Sequence, residues 1–358
     1  MQLLEKSVLA DRYSLLTADP EGFAWITNER VDVVGLPQRY GRTMFSPLVH
    51  EFLLDRILKQ HRIDLVFNLA DLIVRTRVKQ VYLFDWPYAI YPDSVVWKRM
   101  ERKDWIVRKT KLSLLRRRFR LPVVTIAQTP VAKEALQRLY HLPNVAIVPN
   151  AVSLDNLDTN AGRRFSLPVG KKLLYLTYYY PHKNLEILIE VASRIRDLRR
   201  NYRIILTIAA DQHENAARLL REIRDRHLDD IIVNVGPVAM ADVPSLYRGC
   251  DGLLMPTLLE SFSGTYVEAM FHRIPIFTSD LDFARGVCGD AACYFDPHDP
   301  DDIVSKMDTV FGDSSRLAAL VSAGSRVVDS LPDWPEAFDR YQEIIRAELS
   351  GGRGDGGN

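Results

Sequence analysis

The sequence predicts an α/β protein of two doubly wound domains, each a parallel sheet covered by helices on both faces. Three observations carry that expectation. Short runs that are apolar at nearly every position, such as Lys172-Leu-Leu-Tyr-Leu and Gly252-Leu-Leu-Met, alternate with segments of helical period. Strands buried on both faces read this way, whereas half-solvated sheets alternate apolar and polar residues. The 358 residues also exceed what a single ordinary core needs. Finally, the strand-then-helix unit recurs on either side of a polar, turn-rich stretch after Val152. Sheets of this kind take ligands at the carboxyl ends of their strands, so function is sought in the loops there.

In chain order, Met1–Ala10 reads as a helix, and Arg12–Thr17 and Val31–Val34 read as strands. A helix follows over Ser46–His61, then strands at Ile63–Phe67, Gln80–Phe84, Pro122–Ile126 and Val145–Val148, with a helix over Thr129–Tyr140. The second half gives strands at Lys172–Leu176, Arg203–Ile208, Ile231–Val235, Gly252–Met255 and Ile274–Phe277. Helices are expected at Asn184–Arg200, Glu214–Arg226, Ala241–Arg248 and Thr265–His272. The expected domains are residues 1–155 and 156–332, with a hinge over Pro149–Gly162. A closing helix over 333–350 is expected to return to the first domain, ahead of a glycine-rich, unstructured tail at 351–358.

Composition narrows the function classes. No apolar run approaches the ~18 residues of a membrane span, and the first residues lack the basic-then-apolar pattern of a signal peptide. Cys250, Cys288 and Cys293 are odd in number and lack metal-ligand spacing, so they read as buried thiols of a reducing compartment. The histidines are scattered without a paired ligand motif, so no dedicated metal site is expected. Charge is uneven: residues 1–150 hold 24 Lys and Arg against 15 Asp and Glu, a net of +9, and the remainder nets −8. Lys98–Arg120 alone holds eleven bases against Glu101 and Asp104, interleaved with apolar residues as in an amphipathic basic helix. That pattern is a solvated face or an attachment to an anionic membrane surface or phosphate-bearing acceptor. Nucleic acid is not expected, because no recognised nucleic-acid module is present.

The most informative segment is Pro256-Thr-Leu-Leu-Glu-Ser-Phe-Ser-Gly-Thr-Tyr-Val-Glu-Ala-Met270. A buried strand ends at Pro256, a small-residue turn follows, and a helix over Tyr266–His272 begins. A helix N-terminus after such a turn is an anion site, because free N–H groups and the helix dipole converge there. Glu260 and Glu268 bracket it. Carboxylates beside an anion site make sense when the ligand also brings hydroxyls, as a nucleotide sugar does.

Several motifs occur in an order that resembles the retaining glycosyltransferases of family 4. They are Val148-Pro-Asn-Ala-Val, Pro181-His-Lys-Asn-Leu, Gly236-Pro-Val and Leu246-Tyr-Arg-Gly-Cys-Asp-Gly-Leu-Leu-Met-Pro-Thr. The E-x7-E pair at Glu260 and Glu268 follows, then Pro275–Asp280, Gly289-Asp-Ala-Ala with Phe295-Asp-Pro, and a helix from Trp334. The resemblance spans roughly residues 145–345. It implies the GT-B architecture, in which two Rossmann-like domains face a cleft. It also implies transfer of a sugar, with retention, from a nucleotide sugar to a glycan or lipid-linked acceptor in surface polysaccharide assembly.

By the same resemblance, Glu260 lies by the hydroxyls of the transferred sugar and Glu268 accepts from the ribose. Ser263, Gly264 and Thr265 turn their N–H groups to the diphosphate, Lys183 supplies its cation, and Val238 lies in the base-contacting loop. The catalytic assignments are thus Glu260 and Lys183. No metal or other cofactor is implied, because fixed donors and a cation can stabilise the leaving diphosphate. Asp280-Leu281-Asp282 matches a DxD metal motif only superficially and reads as structural.

Two departures from the pattern stand out. Where the family has Gly-Arg on the phosphates, this chain has Thr177 and Tyr178, so a bidentate guanidinium is replaced by an uncharged phenol; Tyr178 is still assigned to the donor. The family's first strand and its glycine-rich loop have no counterpart before Arg12–Thr17. That implies a shortened first domain or a start that lies elsewhere. Asp85 and Trp86 stand on the acceptor side, where the family has a histidine nearby. The alternatives to an active transferase are a sugar-nucleotide-binding pseudoenzyme and a GT-B sugar-nucleotide epimerase.

Overall fold

The computed structural model describes residues 9–10, 12–36, 53–151, 157 and 162–350. Residues 1–8 of the expected helix at 1–10, the start of the helix at 46–61, most of the hinge and the tail at 351–358 lie outside the described residues; Leu9 and Ala10 are not helical.

Among the described residues, twelve parallel strands form the skeleton: β1 (Tyr13–Thr17), β2 (Val31–Gly35), β3 (Leu65–Asn68), β4 (Lys79–Leu83), β5 (Val124–Ala127), β6 (Val145–Ile147), β7 (Lys171–Tyr175), β8 (Tyr202–Leu206), β9 (Ile232–Asn234), β10 (Gly252–Met255), β11 (Ile276–Ser279) and β12 (Ala292–Phe295). Eleven follow the apolar runs of the sequence. The twelfth, Ala-Cys-Tyr-Phe, is short and half-buried at its centre, and has no long apolar run to mark it. The fold is an α/β fold with parallel sheets. The chain divides into two units, residues 1–90, 101–149 and 334–358 in one, residues 91–100 and 150–333 in the other.

The second unit is built on one six-stranded sheet in the order β12-β11-β10-β7-β8-β9. Leu173, Leu174, Ile204, Ile205, Leu253, Leu254, Ile276 and Phe277 are fully buried in it. Helices Ile187–Asp197, Glu214–Asp225, Gly264–Phe271 and Pro300–Phe311 contribute apolar stripes to the same core. Asp299 caps the last of these through the N–H groups of Asp301 and Asp302, and Asp313 caps the following helix, Ser314–Ser330, in the same way. Helices Asp282–Cys288, Pro300–Phe311 and Ser314–Ser330 are absent from the sequence-based expectation. Gly252 sits at the sheet's centre because an added Cβ would come within 3.1 Å of Leu173 and 3.2 Å of Phe277.

Residues 91–100 belong to this second unit although they interrupt the first in sequence. Tyr91 donates from its hydroxyl to Asp282 Oδ1 at 2.8 Å, and its ring meets Phe283 edge-on at 6.3 Å. Arg99 donates to Asn184 Oδ1 at 2.7 Å.

The first unit has a four-stranded sheet, β3-β4-β5-β6, and a separate pair, β1-β2. Leu54 and Leu58 of helix Leu54–Gln60 pack beneath Leu16 of β1 and Val66 of β3, so one helix serves both sheets. Helix Trp334–Ser350 packs in this unit: Tyr341 lies 5.3 Å from the Phe67 ring, and Lys79 donates to the Glu348 carbonyl at 2.6 Å.

The basic run forms helix Arg102–Arg118, and the structure corrects its expected amphipathicity. Arg118 is buried and donates to the Ile73 carbonyl at 2.9 Å. Lys111 pairs with Asp71 and lies 4.2 Å above the Trp86 ring, while Trp105, Ile106 and Val107 remain exposed. Part of the positive charge therefore holds the unit together. Among the described residues, no helix is long and apolar enough to cross a membrane.

Candidate active site

The site grows from two loops that leave neighbouring strands. β7 and β10 pair in register, Leu173 with Gly252 and Leu174 with Leu253, so the loops after Tyr175 and Met255 emerge side by side at the carboxyl edge. The first loop is pinned along its length. Tyr175 donates from its buried hydroxyl to the Lys183 carbonyl at 2.5 Å. The Thr177 N–H reaches Thr207 Oγ1 at 2.9 Å, and that of Tyr179 reaches Gln212 Oε1 at 3.0 Å. Asn184 adopts a left-handed conformation, φ 54°, which turns its amide onto the Pro256 and Pro297 carbonyls at 3.1 and 2.8 Å. The second loop is tied to the first where the N–H of Leu258 and the Thr257 hydroxyl donate to the His182 carbonyl, at 2.8 and 3.2 Å.

These ties bring Lys183 and Glu260, 77 residues apart, into contact: Lys183 Nζ lies 2.5 Å from Glu260 Oε1. The same oxygen lies 3.1 Å from Thr257 Oγ1, whose single proton it shares with the His182 carbonyl. The side chains are only 15% and 10% exposed, so the pair is screened little by water. The cation expected on a diphosphate is thus held by the carboxylate expected on a sugar. A Lys–carboxylate pair at one point can meet both a phosphate oxygen and a hydroxyl of the same ligand.

The helix expected from Tyr266 begins two residues earlier, at Gly264, with Ser263 at its N-cap. The Ser263 hydroxyl makes no capping bond, so the first-turn N–H groups of Gly264 and Thr265 are not closed by it. An added Cβ at Gly264 would meet nothing within 4 Å; the space above the helix start is open.

Glu268 lies on the next turn and accepts from the Tyr247 hydroxyl at 2.9 Å. Tyr247 is fully buried, and stacks on His272 at 5.0 Å. Burial pushes the Glu268 carboxyl above its usual value of 4.5, with the Tyr247 hydrogen bond opposing the shift. Sequence reading missed Tyr247 and Thr257 as partners of the two glutamates. Each lay within a quoted motif, but Thr257 meets Glu260 only through the turn of the loop and Tyr247 meets Glu268 only through the packing of two successive helices.

The remaining expected residues are placed as follows. Val238 packs half-buried on the core after Gly236, whose φ is +76°. Tyr178 is 50% exposed. Asp85 and Trp86 belong to the other unit, just past β4; Asp85 is exposed and Trp86 buried under Lys111. Asp280 pairs with Arg285 at 2.5 Å, and Asp282 accepts from Tyr91 and from the Phe283 N–H. Among the described residues, no group of three or more His, Cys, Asp or Glu could hold a metal ion. The three cysteines are free thiols, and burial pushes that of Cys250 up to about 12. A cavity of about 610 Å³ opens on the other face of the first loop, beside Tyr179, Pro181, Asn184 and His298. Neither Lys183 nor Glu260 lines it.

Residues 170–313 match the family model for Glycosyl transferases group 1. That stretch contains every residue placed above in the second unit's site. The O-antigen chain mannosyltransferase RfbU of Salmonella typhimurium is 24% identical over 212 residues, covering 58% of this chain and 54% of RfbU. Mannosylfructose-phosphate synthase of Agrobacterium fabrum is 26% identical over 172 residues, 46% of this chain and 38% of that enzyme. The chain thus matches about half the length of the first relative and less of the second. Among solved structures, sucrose-phosphate synthase from Thermosynechococcus elongatus superposes with a TM-score of 0.65 at 13% identity, over 89% of this chain and 81% of that one. Anabaena HepE, in complex with UDP and glucose, gives 0.64 at 16% identity, over 88% and 85%. The fold matches that of GT-B glycosyltransferase structures.

Proposed function

We propose that the protein is a glycosyltransferase that moves a sugar, with retention, from a nucleotide sugar to a glycan or lipid-linked acceptor in the assembly of a surface polysaccharide. The observation that carries this reading is the buried Lys183–Glu260 pair beside the uncapped start of helix Gly264–Phe271, with Glu268 one turn on. Lys183 and the first-turn N–H groups stabilise charge as the diphosphate leaves. Glu260 holds a hydroxyl of the transferred sugar, and Glu268 takes the ribose hydroxyls at the other end. Both carboxylates of the DxD-like pair have structural partners, which supports transfer without a required metal. Action at the cytoplasmic face of a membrane accords with this reading.

A mannose donor heads the candidates, because the relatives' names include mannosyl transfer; a glucose donor comes next, from HepE. The test follows nucleoside diphosphate release from GDP-mannose and UDP-glucose with a crude lipid-linked acceptor, with and without EDTA. Acceptor-dependent release that survives EDTA is expected. Binding without release would favour the pseudoenzyme, conversion of the donor to an epimer would favour the epimerase, and loss in EDTA restored by magnesium would return attention to Asp280 and Asp282.

A further inference from the structure

Three aromatic rings of the Lys183 loop form a ladder on one face. Tyr178, Tyr180 and His182 alternate with Tyr179 and Pro181, and Tyr180 is extended, φ −138° and ψ 146°. Extended backbone puts Tyr178 and Tyr180 on one side, and the turn over Pro181–Lys183 brings His182 onto the same face. The Tyr178 and Tyr180 rings lie 5.4 Å apart at 38°, and Tyr180 and His182 stack at 5.4 Å and 17°. The ladder rises out of the site: His182 is 9% exposed, Tyr180 43% and Tyr178 50%.

The intervening residues make this a rigid mount. Tyr179 turns the other way, stacks on His213 at 5.2 Å and donates from its hydroxyl to Glu186. The His182 carbonyl is held by Thr257 and Leu258. Tyr178 ends the ladder and Tyr180 backs it, and a half-exposed aromatic surface on a pinned backbone suits a ligand that is polar overall yet presents a flat face of C–H groups. A pyranose ring does this: its C–H groups carry partial positive charge and meet the negative face of an aromatic ring.

We propose that Tyr178 and Tyr180 form a stacking platform for a pyranose ring of the glycan acceptor; this rests on the glycosyl-transfer reading above. The ladder ends at His182, next to the Lys183–Glu260 pair, so it flanks the sugar–phosphate end of the donor. The transferred sugar meets Glu260, which is 8% exposed, whereas the open tyrosine faces suit a ring whose chain continues into solvent. Tyr178 therefore serves the acceptor, although its sequence position corresponds to a phosphate-binding arginine in the family.

The test uses the full chain saturated with GDP or UDP, and methyl α-D-mannopyranoside, glucopyranoside and galactopyranoside as probes. Saturation-transfer NMR is expected to mark ring C–H protons of at least one probe. The signal should fall at least five-fold in Y178A/Y180A and persist in Y178F/Y180F, which keeps the faces and loses the hydroxyls. No transfer to any probe, or an unchanged signal in the alanine variant, overturns the proposal. Loss in the phenylalanine variant overturns it too, because hydroxyl bonding rather than stacking would then hold the sugar. If the alanine variant weakens nucleotide sugar more than free nucleoside diphosphate, the rings hold the donor and the assignment to the acceptor fails. A parent that binds neither nucleotide instead sinks the transferase reading, and pyranoside transfer is then read without nucleotide.

Discussion

The two units answer the same design problem with different completeness. In the second, one continuous sheet of six strands buries its central side chains fully, and the site's two loops leave adjacent strands, β7 and β10. In the first, the described strands fall into a pair and a foursome, and Leu65, Val66 and Phe67 of β3 are only half-buried. Each unit also holds a lysine against a carboxylate. Lys183 and Glu260 are both enclosed, whereas Lys111 is enclosed but Asp71 is 58% exposed. Burial, more than the presence of an ion pair, decides what such a contact is worth.

The sharpest way to break that comparison is to remove one carboxylate from each pair. E260A leaves Lys183 enclosed without its partner and should destabilise the protein by about 3–5 kcal/mol. D71A removes a half-solvated partner and should cost about 0–1 kcal/mol. Urea unfolding followed by tryptophan fluorescence measures both. Equal losses would mean that the enclosure of Glu260 carries no energetic weight. E260A should also cost turnover of intact donor more than binding of free nucleoside diphosphate, because only the former presents a sugar to Glu260.

The second prediction concerns the charge carried by the first unit. We expect the basic helix to bind anionic vesicles reversibly, through bases that have no structural task. Arg118 must be kept in any such test, because it is buried and bonded to Ile73. Arg116 is kept as well, because its side chain bonds Tyr140, so R117A/R120A should lose about 1 kcal/mol of vesicle affinity per residue, about 2 kcal/mol together. The parent's binding should fall with salt, as the Debye length shortens to ~3 Å at 1 M. Parent-like sedimentation of the double variant, or none by the parent at low salt, would leave the helix as a solvated face.

The same contrast explains what was legible in the sequence. Buried parallel strands announce themselves as apolar runs, so eleven of twelve appear in the reading; β12, four residues with cysteine and tyrosine at its centre, does not. The helix after the small-residue turn was visible from those residues ahead of an apolar stretch, with its start placed one or two residues late. The contact of Lys183 with Glu260 was not, because it depends on β10 lying beside β7 rather than on any spacing. Nor was the transfer of residues 91–100 to the second unit, which rests on Tyr91 meeting Asp282 and Arg99 meeting Asn184. The basic run misled because composition cannot tell a solvated arginine from Arg118, whose guanidinium is spent on a backbone carbonyl. Pattern reports local structure and burial; partners across the sheet are set by strand order.

The smallest effect tests Glu268, where stability and binding should move in opposite directions. Burial raises its pKa above 4.5, so the folded state holds this proton more tightly than the unfolded chain does. Stability contributed by Glu268 therefore declines as pH rises from the unfolded value through the raised folded one. E268Q, neutral at every pH and still able to accept from Tyr247, should melt at or above the parent at neutral pH, and the gap should close as pH falls. Nucleotide binding has the reverse sign, because two ribose hydroxyls are best accepted by an ionised carboxylate. E268Q should weaken nucleoside diphosphate at pH 7 by about 1–3 kcal/mol. The parent's own affinity should fall as pH drops through the raised pKa, beginning above pH 4.5, while that of E268Q stays flat over the same range. Calorimetric titration across pH 4.5–8 reads both curves. If parent and variant share one pH profile, or E268Q binds as the parent does, Glu268 does not hold the ribose and its buried charge serves only Tyr247.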